Sequence, residues 1–542
     1  MAQKHTLEEL NNCSREELIT IVLMMQGQLD ALNDNIEKLI EQVRIANNYR
    51  FGKHTETLKS IEGQLSFFDE AEAACDESKK EPSAEEVLPA KRTVKKKGQR
   101  DLDLKDFPEE ILPPYSVSEE QLDAFYGKNN WRRMPDETYK RLRHEPESWT
   151  VEIHTVEVYV GTDGDHQDEF LRGNRPRDLL RNSIVTPSLL ASILNVKYVN
   201  SSALHRIEQE FQRNGVNISR QTMSNWIVKC SQMYFTPFVE RMKQELLSLH
   251  VTQSDETPTQ VIADSDHPNS KCYMWVHRSG EFYTRRPIVV YEYQKGRDHQ
   301  KPLDFYKDYK GVLVTDSLQQ YHLVDKKLPD VTNANCWAHA RRDFADAVKA
   351  ADKKDPSSVR QSVAYQALQK IAEFYNADTE LKGLSSRERL QKRQEVIKPM
   401  VEEFFAWVKQ QASDCTVPPK SKTGHGLNFV INQEKYLRVF LEDGDVPIDN
   451  SASERAIRTF CFGKKNWMFH NTAKGASASA MVYSISETAK LNNLRPYYYF
   501  KYILTELPKL CDERGNIDPT KLDYLMPWSD SLPDECRKPR RS

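Results

Sequence analysis

The order of segments between residues 250 and 321 is the feature that most constrains the fold of this chain. Three strand-like runs and one helical segment come first, at residues 250–262, 271–280, 285–298 and 299–309. An apolar run, Val312 to Val314, then leads to Asp316. Such a short continuous apolar run is typical of a strand buried in the centre of a sheet. The order therefore predicts an α/β fold with a mixed sheet.

Two acidic residues lie on this predicted sheet. Three strands, a helix and a buried strand that ends in an aspartate resemble the ribonuclease-H-like order, in which the first and fourth strands are neighbours. That order would bring Asp255 and Asp316 together. Each aspartate also has a simpler interpretation, because Asp255 could cap a turn or a helix and Asp316 could cap the end of its strand.

Two neighbouring carboxylates repel each other unless a cation joins them. Ligands that are all oxygen suit Mg²⁺ or Mn²⁺, and a third carboxylate from a later helix completes a site for two ions about 4 Å apart. Glu454 is the candidate for that third ligand. We therefore predict that Asp255, Asp316 and Glu454 are both the metal ligands and the catalytic residues, with two ions bound.

Glu454 lies in a segment that is rich in turn-forming residues and then becomes helical. Four cations follow it closely and are candidates for contacts with phosphate groups: Arg455, Arg458, Lys464 and Lys465. A carboxylate among so many cations suggests a polyanionic ligand, bound alone or together with a metal. The alternative is a capping box, Ser451-x-x-Glu454, in which Glu454 only satisfies backbone N–H groups.

The bulk properties of the chain restrict its class. A chain of 542 residues holds about three or four domains by length alone. The net charge of −3 shows no general basic excess, so any DNA-binding surface must come from local segregation of charge. We expect no membrane span, because no apolar run is long enough, and no apolar leader follows Met1. The nine cysteines include no C-x-x-C pair, which favours reduced thiols in the cytoplasm.

The amino-terminal part of the chain predicts self-association. Apolar residues between Leu18 and Val43 follow one another at alternating steps of four and three, as in a coiled coil. We therefore expect a homodimer or a higher oligomer, with residues 1–68 as a coiled-coil leader. A long amphipathic helix packed on its own chain is the alternative. Residues 69–101 carry an acidic and then a basic run without hydrophobic periodicity, which indicates a charged linker.

Residues 102–183 form a small region in which Trp149 to Gly161 alternates apolar and polar residues, as a strand does. Residues 184–245 are predicted to be helical, and Ser219 is the predicted cap of the helix that begins at Arg220. A helix, a short glycine turn and a capped helix indicate a helix-turn-helix. The side chains predicted to face the DNA groove are Arg220, Gln221, Ser224 and Asn225, while Met223, Trp226 and Ile227 pack inward. Plain helical packing remains the alternative.

We assign residues 246–480 to one catalytic domain with a helical insertion at about 345–425, and residues 481–542 to a helical carboxy-terminal region. Within the domain, Cys336-x-x-His339 supplies only two ligands, too few for a structural zinc site. We interpret this pair as a buried thiol and a hydrogen-bonded histidine.

Several long motifs resemble the insertion-sequence 66 family, a group of bacterial DDE transposases. They are SDETPTQV, VLVTDSLQQY, NCWAHARRDF, NSASERAIR, GKKNWMF and VYSISETAKLNNLRPYYYFKYIL. The family's three catalytic acids fall on Asp255, Asp316 and Glu454. The resemblance implies a ribonuclease-H-like domain, metal-dependent cleavage of the 3′ ends of the element, and strand transfer. It also implies binding to terminal repeats and target DNA, helper proteins of the same element, and a place near the bacterial nucleoid.

Two features depart from the family pattern. Residues 102–143 contain no cysteine, whereas many members carry a zinc finger there, so we expect no zinc. Asp316 is followed by Ser317 and Leu318 rather than by glycine and tyrosine. Two alternatives to a transposase stay open: a catalytically inactive protein that binds the element's ends, and a metal-dependent nuclease without strand transfer.

Overall fold

The computed structural model describes residue 15 and residues 109–128, 130–145, 148–264, 271–351, 356–413 and 417–538. Apart from residue 15, the predicted coiled-coil leader and charged linker lie outside the described residues. The described chain is a mixed α/β structure with two β-sheets, which confirms the predicted α/β class. Within these residues, no helix is long and apolar enough to cross a membrane.

The strands follow one another in two groups. They are β1 (Glu109–Ile111), β2 (Trp131–Glu145), β3 (Ser148–Gly161), β4 (Phe170–Arg172), β5 (Val251–Thr259), β6 (Cys272–Ser279), β7 (Val289–Gln294), β8 (Gly311–Thr315) and β9 (Val331–Asn335). The predicted strand between residues 149 and 161 is confirmed as β3, and the predicted strands at 250–262, 271–280 and 285–298 are confirmed as β5, β6 and β7.

The α-helices lie before, between and after the strands of the second group. The first seven are α1 (Glu119–Tyr126), α2 (Pro187–Leu194), α3 (Leu204–Arg213), α4 (Arg220–Cys230), α5 (Thr236–Leu247), α6 (Gln300–Tyr306) and α7 (Gln319–Lys327). The next six are α8 (Trp337–Ala350), α9 (Pro356–Gln361), α10 (Val363–Glu380), α11 (Ser386–Lys392), α12 (Lys398–Ser413) and α13 (Lys422–Leu437). The last three are α14 (Ser451–Trp467), α15 (Ala473–Leu491) and α16 (Pro496–Glu506).

The first sheet has the order β1-β3-β2, and β4 also pairs with β3. β1 runs parallel to β3, whereas β2 and β4 run antiparallel to it. The β2–β3 register shifts between Met134 and Glu137. Pro135 lies in this interval, and a proline cannot donate a ladder hydrogen bond, so the irregularity falls where the ladder is weakest.

The second sheet has the order β7-β6-β5-β8-β9. β5, β6 and β7 form an antiparallel series in which Asp255 is opposite Val276. The backbone N–H of Val312 donates to the carbonyl of His250 at 2.8 Å, which joins β8 to the start of β5. The predicted neighbourhood of the first and fourth strands is therefore confirmed.

The contacts within the described chain define two compact units. One comprises residues 314–318 and 333–451, and the other comprises residues 109–313, 319–332 and 452–538. The chain passes between the units inside β8 and β9, so each of these strands contributes residues to both.

The unit that contains α8 to α13 has an aromatic core around Trp337. The Trp337 ring lies 4.7 Å from the ring of Phe374, centroid to centroid, and its Nε1 donates to the carbonyl of Leu437 at 2.8 Å. Arg393 is fully buried beside Asp378, with its Nε 2.7 Å from a carboxylate oxygen. The ion pair with Asp378 compensates for the hydration that the buried guanidinium of Arg393 loses.

Helices α2, α3 and α4 form the predicted helical region. Thr186 caps α2, with Pro187 at its first position, and Ser219 caps α4 by accepting from the N–H of Thr222. Helix α3 ends before Gly215, whose φ is +76°. Because Gly215 adopts a left-handed backbone conformation, the N–H of the next residue, Val216, can donate to a carbonyl of α3. The predicted starts and ends of these helices are thus confirmed.

Candidate active site

Asp255 lies in the middle of β5, and its face of the strand is fixed by its neighbours. Successive side chains of a strand point to opposite faces, so Asp255 shares a face with Thr257. The Sγ of Cys461, on α14, lies 3.6 Å from the Oγ1 of Thr257. Asp255 therefore lies on the face of β5 that α14 covers. Its carboxylate is half-buried and accepts from the N–H of Glu256 at 2.8 Å.

Glu454 occupies the first turn of α14 and is also half-buried. The beginning of this helix is held by Arg278, whose Nη1 donates to the carbonyl of Ala452 at 2.9 Å. Arg278 is opposite Gln253 in the β5–β6 ladder. The turn that carries Glu454 thus begins near the level of Gln253 on the sheet.

The other end of α14 is held further along β5. The Nζ of Lys464 donates to the carbonyl of Pro258 at 2.9 Å, and Cys461 contacts Thr257. Because the two ends of the helix are attached to successive levels of β5, α14 runs along the strand. Asp255 lies between those levels.

Asp449 and Ser451 form the turn at the start of α14. Ser451 is the first residue of the helix rather than the residue before it. Its backbone N–H donates to the Oδ1 of Asp449 at 2.9 Å, and its hydroxyl donates to the same oxygen. Asp449 therefore orders this turn. The capping-box alternative for Glu454 stays open beside its predicted role as a metal ligand.

Asp316 directly follows the last residue of β8 and is half-buried. Thr315, before it, donates from Oγ1 to Asn333 at 3.0 Å. The Oδ1 of Asp316 accepts from the N–H of Leu318 at 3.4 Å, a long and therefore weak bond. Asp316 thus also has the loop contact expected of a strand-end cap. Asp255 and Glu454 belong to one compact unit and Asp316 to the other, and the shared ligand set remains a prediction.

Comparison with known proteins gives the family. The family described as Transposase IS66 family matches residues 182–478, and the IS66 C-terminal element matches residues 484–528. The chain belongs to the IS66 transposase family. The match covers more than half of the chain and includes all three predicted acids.

Three relatives of this IS66 chain come from Sinorhizobium fredii (strain NBRC 101917 / NGR234), and each is named an uncharacterized protein. The protein y4hP is 24% identical over 92% of this chain and 88% of its own length. The protein y4qI is 27% identical over 67% of this chain and 66% of its own length. The protein y4jD is 24% identical over 65% of this chain and 68% of its own length. These names assign no activity.

The cations of α14 in this IS66 chain differ in their availability. Arg455 is exposed, and its Nη2 lies 3.0 Å from a carboxylate oxygen of Glu281. Arg458 is half-buried, Lys464 donates to the backbone of β5, and Lys465 is exposed. Of the four, Arg455 and Lys465 are exposed and therefore accessible to a phosphate. Contact with DNA remains a prediction for all four.

Helix α4 shows two faces. Its inward face is confirmed, because Met223, Trp226 and Ile227 are all buried. The residues predicted to face DNA lie on the outer side, where Arg220, Gln221 and Asn225 are exposed and Ser224 is half-buried. The Nε2 of Gln221 donates to the Oδ1 of Asn225 at 3.2 Å. A role in DNA reading remains a prediction.

The Cys336-x-x-His339 pair lies at the start of α8. Cys336 is fully buried, and its Sγ accepts from the N–H of Asn450 at 3.1 Å, which confirms the predicted buried thiol. Burial lowers the pKa of His339 to about 3, with a smaller contribution from Arg342. His339 is therefore neutral at physiological pH.

A polar network that the sequence reasoning missed supports β5 from its other face. The Oγ of Ser254 lies 2.8 Å from the Nδ1 of His277 and 2.5 Å from the Oη of Tyr306. Burial lowers the pKa of His277 well below its ordinary value, so the imidazole is neutral. Glu256 shares that face and pairs with Arg297 at 2.5 Å. The alternation of side chains along β5 predicts which residues point to this face. The sequence does not predict which residues they contact there.

Proposed function

We propose that this chain is a DNA transposase that cleaves the 3′ ends of its own element and joins them to target DNA. Family membership supports the transposase role. The observation that carries the proposal furthest is the attachment of α14 along the face of β5 that bears Asp255, since it puts Glu454 on the helix that covers this aspartate.

Asp255, Asp316 and Glu454 would hold two Mg²⁺ or Mn²⁺ ions. Their donor set fits, because all three are carboxylates and all are half-buried, and hard divalent cations prefer such oxygen ligands. Bound ions would activate the attacking oxygen and stabilise the leaving oxygen of the phosphodiester. A ribonuclease-H-like catalytic domain, proposed for residues 246–480 with an insertion at about 345–425, is supported by the order β7-β6-β5-β8-β9.

The remaining assignments concern DNA and assembly. The outer face of α4 would read the terminal repeats, while the cations of α14 would contact phosphates. Residues 1–68 would associate the chain into a dimer or a higher oligomer through a coiled coil. Helper proteins of the same element and a place at the bacterial nucleoid follow from the family resemblance.

The deciding experiment is divalent-ion-dependent cleavage of DNA that carries the flanking repeats of the element. We expect nicking at the 3′ ends with Mg²⁺, and none by the Asp316→Asn variant, which should still bind the ends. Joining of a labelled pre-cut end to a plasmid separates a transposase from a nuclease without strand transfer. Binding of the ends without any cleavage by the unaltered chain would instead support an inactive end-binding protein.

A further inference from the structure

A second basic cluster lies beyond the carboxyl end of β5, around His470. The backbone N–H of His470 donates to the carbonyl of Gln260 at 3.0 Å, and its carbonyl accepts from the N–H of Ile262 at 2.9 Å. These bonds hold His470 against the segment that continues β5. Its imidazole lies 4.5 Å from the ring of Trp467, centroid to centroid. His470 and Trp467 therefore form one surface at the end of α14.

Lys197 reaches the same surface from a different part of the chain. It lies in a π-helical segment, Asn195–Val199, and such segments are frequent at functional sites. Its Nζ lies 5.1 Å from the ring centroid of Tyr198 and 5.5 Å from that of Trp467. Across the described part of the chain, no hydrogen bond or ion pair to Lys197 is found. A half-buried ammonium that faces only aromatic rings has lost hydration without gaining a counter-charge.

His470 offers a second polar group of this kind. The residue is only 8% exposed, and its Nε2 is buried with no hydrogen-bond partner among the described residues. Burial, with smaller contributions from the charges of Lys197 and Lys464, lowers the pKa of His470 to about 3. Lys464 lies on α14 three residues before Trp467, whose ring contacts the imidazole of His470. A buried polar atom without a partner is rare in native structures and calls for a ligand or an explanation.

We propose that Lys197, Lys464 and His470 form a binding site for a backbone phosphate of DNA, with Trp467 as its apolar wall. A phosphate would supply the missing counter-charge for Lys197 and an acceptor for an imidazole N–H. The acidic residue of the adjoining turn, Asp264, is already engaged, because Tyr293 donates to it at 2.6 Å.

The site is separate from the predicted metal ligands. Glu454 and Trp467 occupy opposite ends of α14, which corresponds to about 20 Å along the helix axis. The phosphate is therefore remote from the one that is cleaved, and the site would fix the register of the DNA rather than act on the reacting atoms. This inference rests on the proposed function in that it takes DNA as the ligand, but it does not require cleavage.

The test compares two variants of the full chain that each lose one positive charge. Lys197→Gln alters the proposed site. Lys310→Gln is the matched control, because Lys310 is exposed and lies one residue before β8, at the opposite end of β5. Binding to a mixed-sequence DNA duplex is measured by fluorescence anisotropy over a range of salt concentrations, together with the thermal unfolding of each variant.

We expect Lys197→Gln to weaken DNA binding about tenfold and to reduce the slope of log K against log salt by about 0.9, the value for one lost phosphate contact. Lys310→Gln should leave the slope unchanged, and Lys197→Arg should restore it. The melting temperature of Lys197→Gln should stay the same or rise, because an uncompensated charge has been removed.

An unchanged slope for Lys197→Gln would overturn the phosphate site, as would a slope reduced equally by Lys310→Gln. A lower melting temperature with unaltered DNA binding would show that Lys197 has only a structural role. Absence of DNA binding by the unaltered chain would also overturn the phosphate site. If the slope falls as expected but the unaltered chain does not cleave DNA with Mg²⁺, the phosphate site stands and the proposed catalytic function fails.

Discussion

The Sγ of Cys461 lies 3.6 Å from the Oγ1 of Thr257, although the two residues are 204 positions apart in the chain. Both side chains are buried. This contact attaches α14 to one face of β5, and the alternation of the strand places Asp255 on that face and Glu256 on the other. The contact thus shows that Asp255, and not the adjacent Glu256, faces α14, which the local sequence alone does not reveal.

Asp255→Asn and Glu256→Gln should therefore have different effects. Loss of a metal ligand removes several kcal/mol of transition-state stabilisation, so we expect Asp255→Asn to slow Mg²⁺-dependent nicking by at least about a thousandfold. Glu256→Gln breaks the ion pair between the buried carboxylate of Glu256 and the exposed Arg297 and should lower stability by about 1–3 kcal/mol while nicking persists. Nicking rates and urea unfolding are the measurements. Equal nicking by Asp255→Asn and the unaltered chain would refute the ligand assignment.

Gly463 should be essential for the packing of α14 against α15. A Cβ at this position would lie 2.2 Å from the Oη of Tyr483 and 3.0 Å from the Nε1 of Trp467. We expect Gly463→Ala to cost about 1–3 kcal/mol in the free energy of unfolding. Gly475→Ala is the control, because its nearest neighbour would be the Oγ1 of Thr472 at 3.4 Å. Similar unfolding midpoints for both variants would contradict the close approach.

Acid should destabilise the fold through three histidines. Burial lowers the pKa of His277 well below 6.5, and those of His339 and His470 to about 3. Above pH 6.5 these groups are neutral in both states and contribute no pH dependence. As the pH falls from 6.5 towards 3, only the unfolded chain binds protons at these positions. The free energy of unfolding should then fall by up to about 1.4 kcal/mol per pH unit for each histidine.

Urea unfolding at pH 7.5, about 6.5 and about 5.5 would measure this slope in the range where the histidines titrate. His470→Gln should make it shallower by the contribution of one proton. If the slope of the His470→Gln variant equals that of the unaltered chain, His470 is not held in a buried, neutral form in the folded protein.

The affinity for DNA should also depend on pH at the alkaline end. Burial lowers the pKa of Lys197 to about 8, and the proposed phosphate site needs its ammonium form. Affinity should fall as the pH rises through about 8, because bound phosphate favours the protonated lysine. Lys197→Arg should flatten this profile, since a guanidinium stays charged. Anisotropy titrations at constant salt would measure it, and a profile that both proteins share would count against Lys197.

Asn225 provides a test of DNA reading by α4. It is exposed on the outer face of the helix, and an asparagine can bind adenine through two hydrogen bonds. We expect Asn225→Ala to reduce the preference for terminal-repeat DNA over random DNA by about 1–3 kcal/mol. Gln212→Ala, at an exposed position of α3, should not change that preference. Competition binding measures it, and identical preferences for both variants would contradict the helix-turn-helix prediction.

The sequence by itself determined the local structure and the class of protein. Apolar alternation, capping residues such as Ser219 and the glycine at 215 act within a few positions, so strands and helix ends were predictable. The motifs around Asp255, Asp316 and Glu454 were sufficient to indicate the family that the comparisons show.

Only the tertiary structure decided which side chains meet. Lys197 and His470 come from distant parts of the chain, and neither has a neighbouring residue that signals a shared site. Likewise, Asp449 accepts from the N–H of Ser451 and orders the turn before α14, which the pattern Ser451-x-x-Glu454 does not indicate. Packing of α14 on β5 and α15 selects these contacts, and packing depends on shape and burial across the whole fold rather than on local residue order.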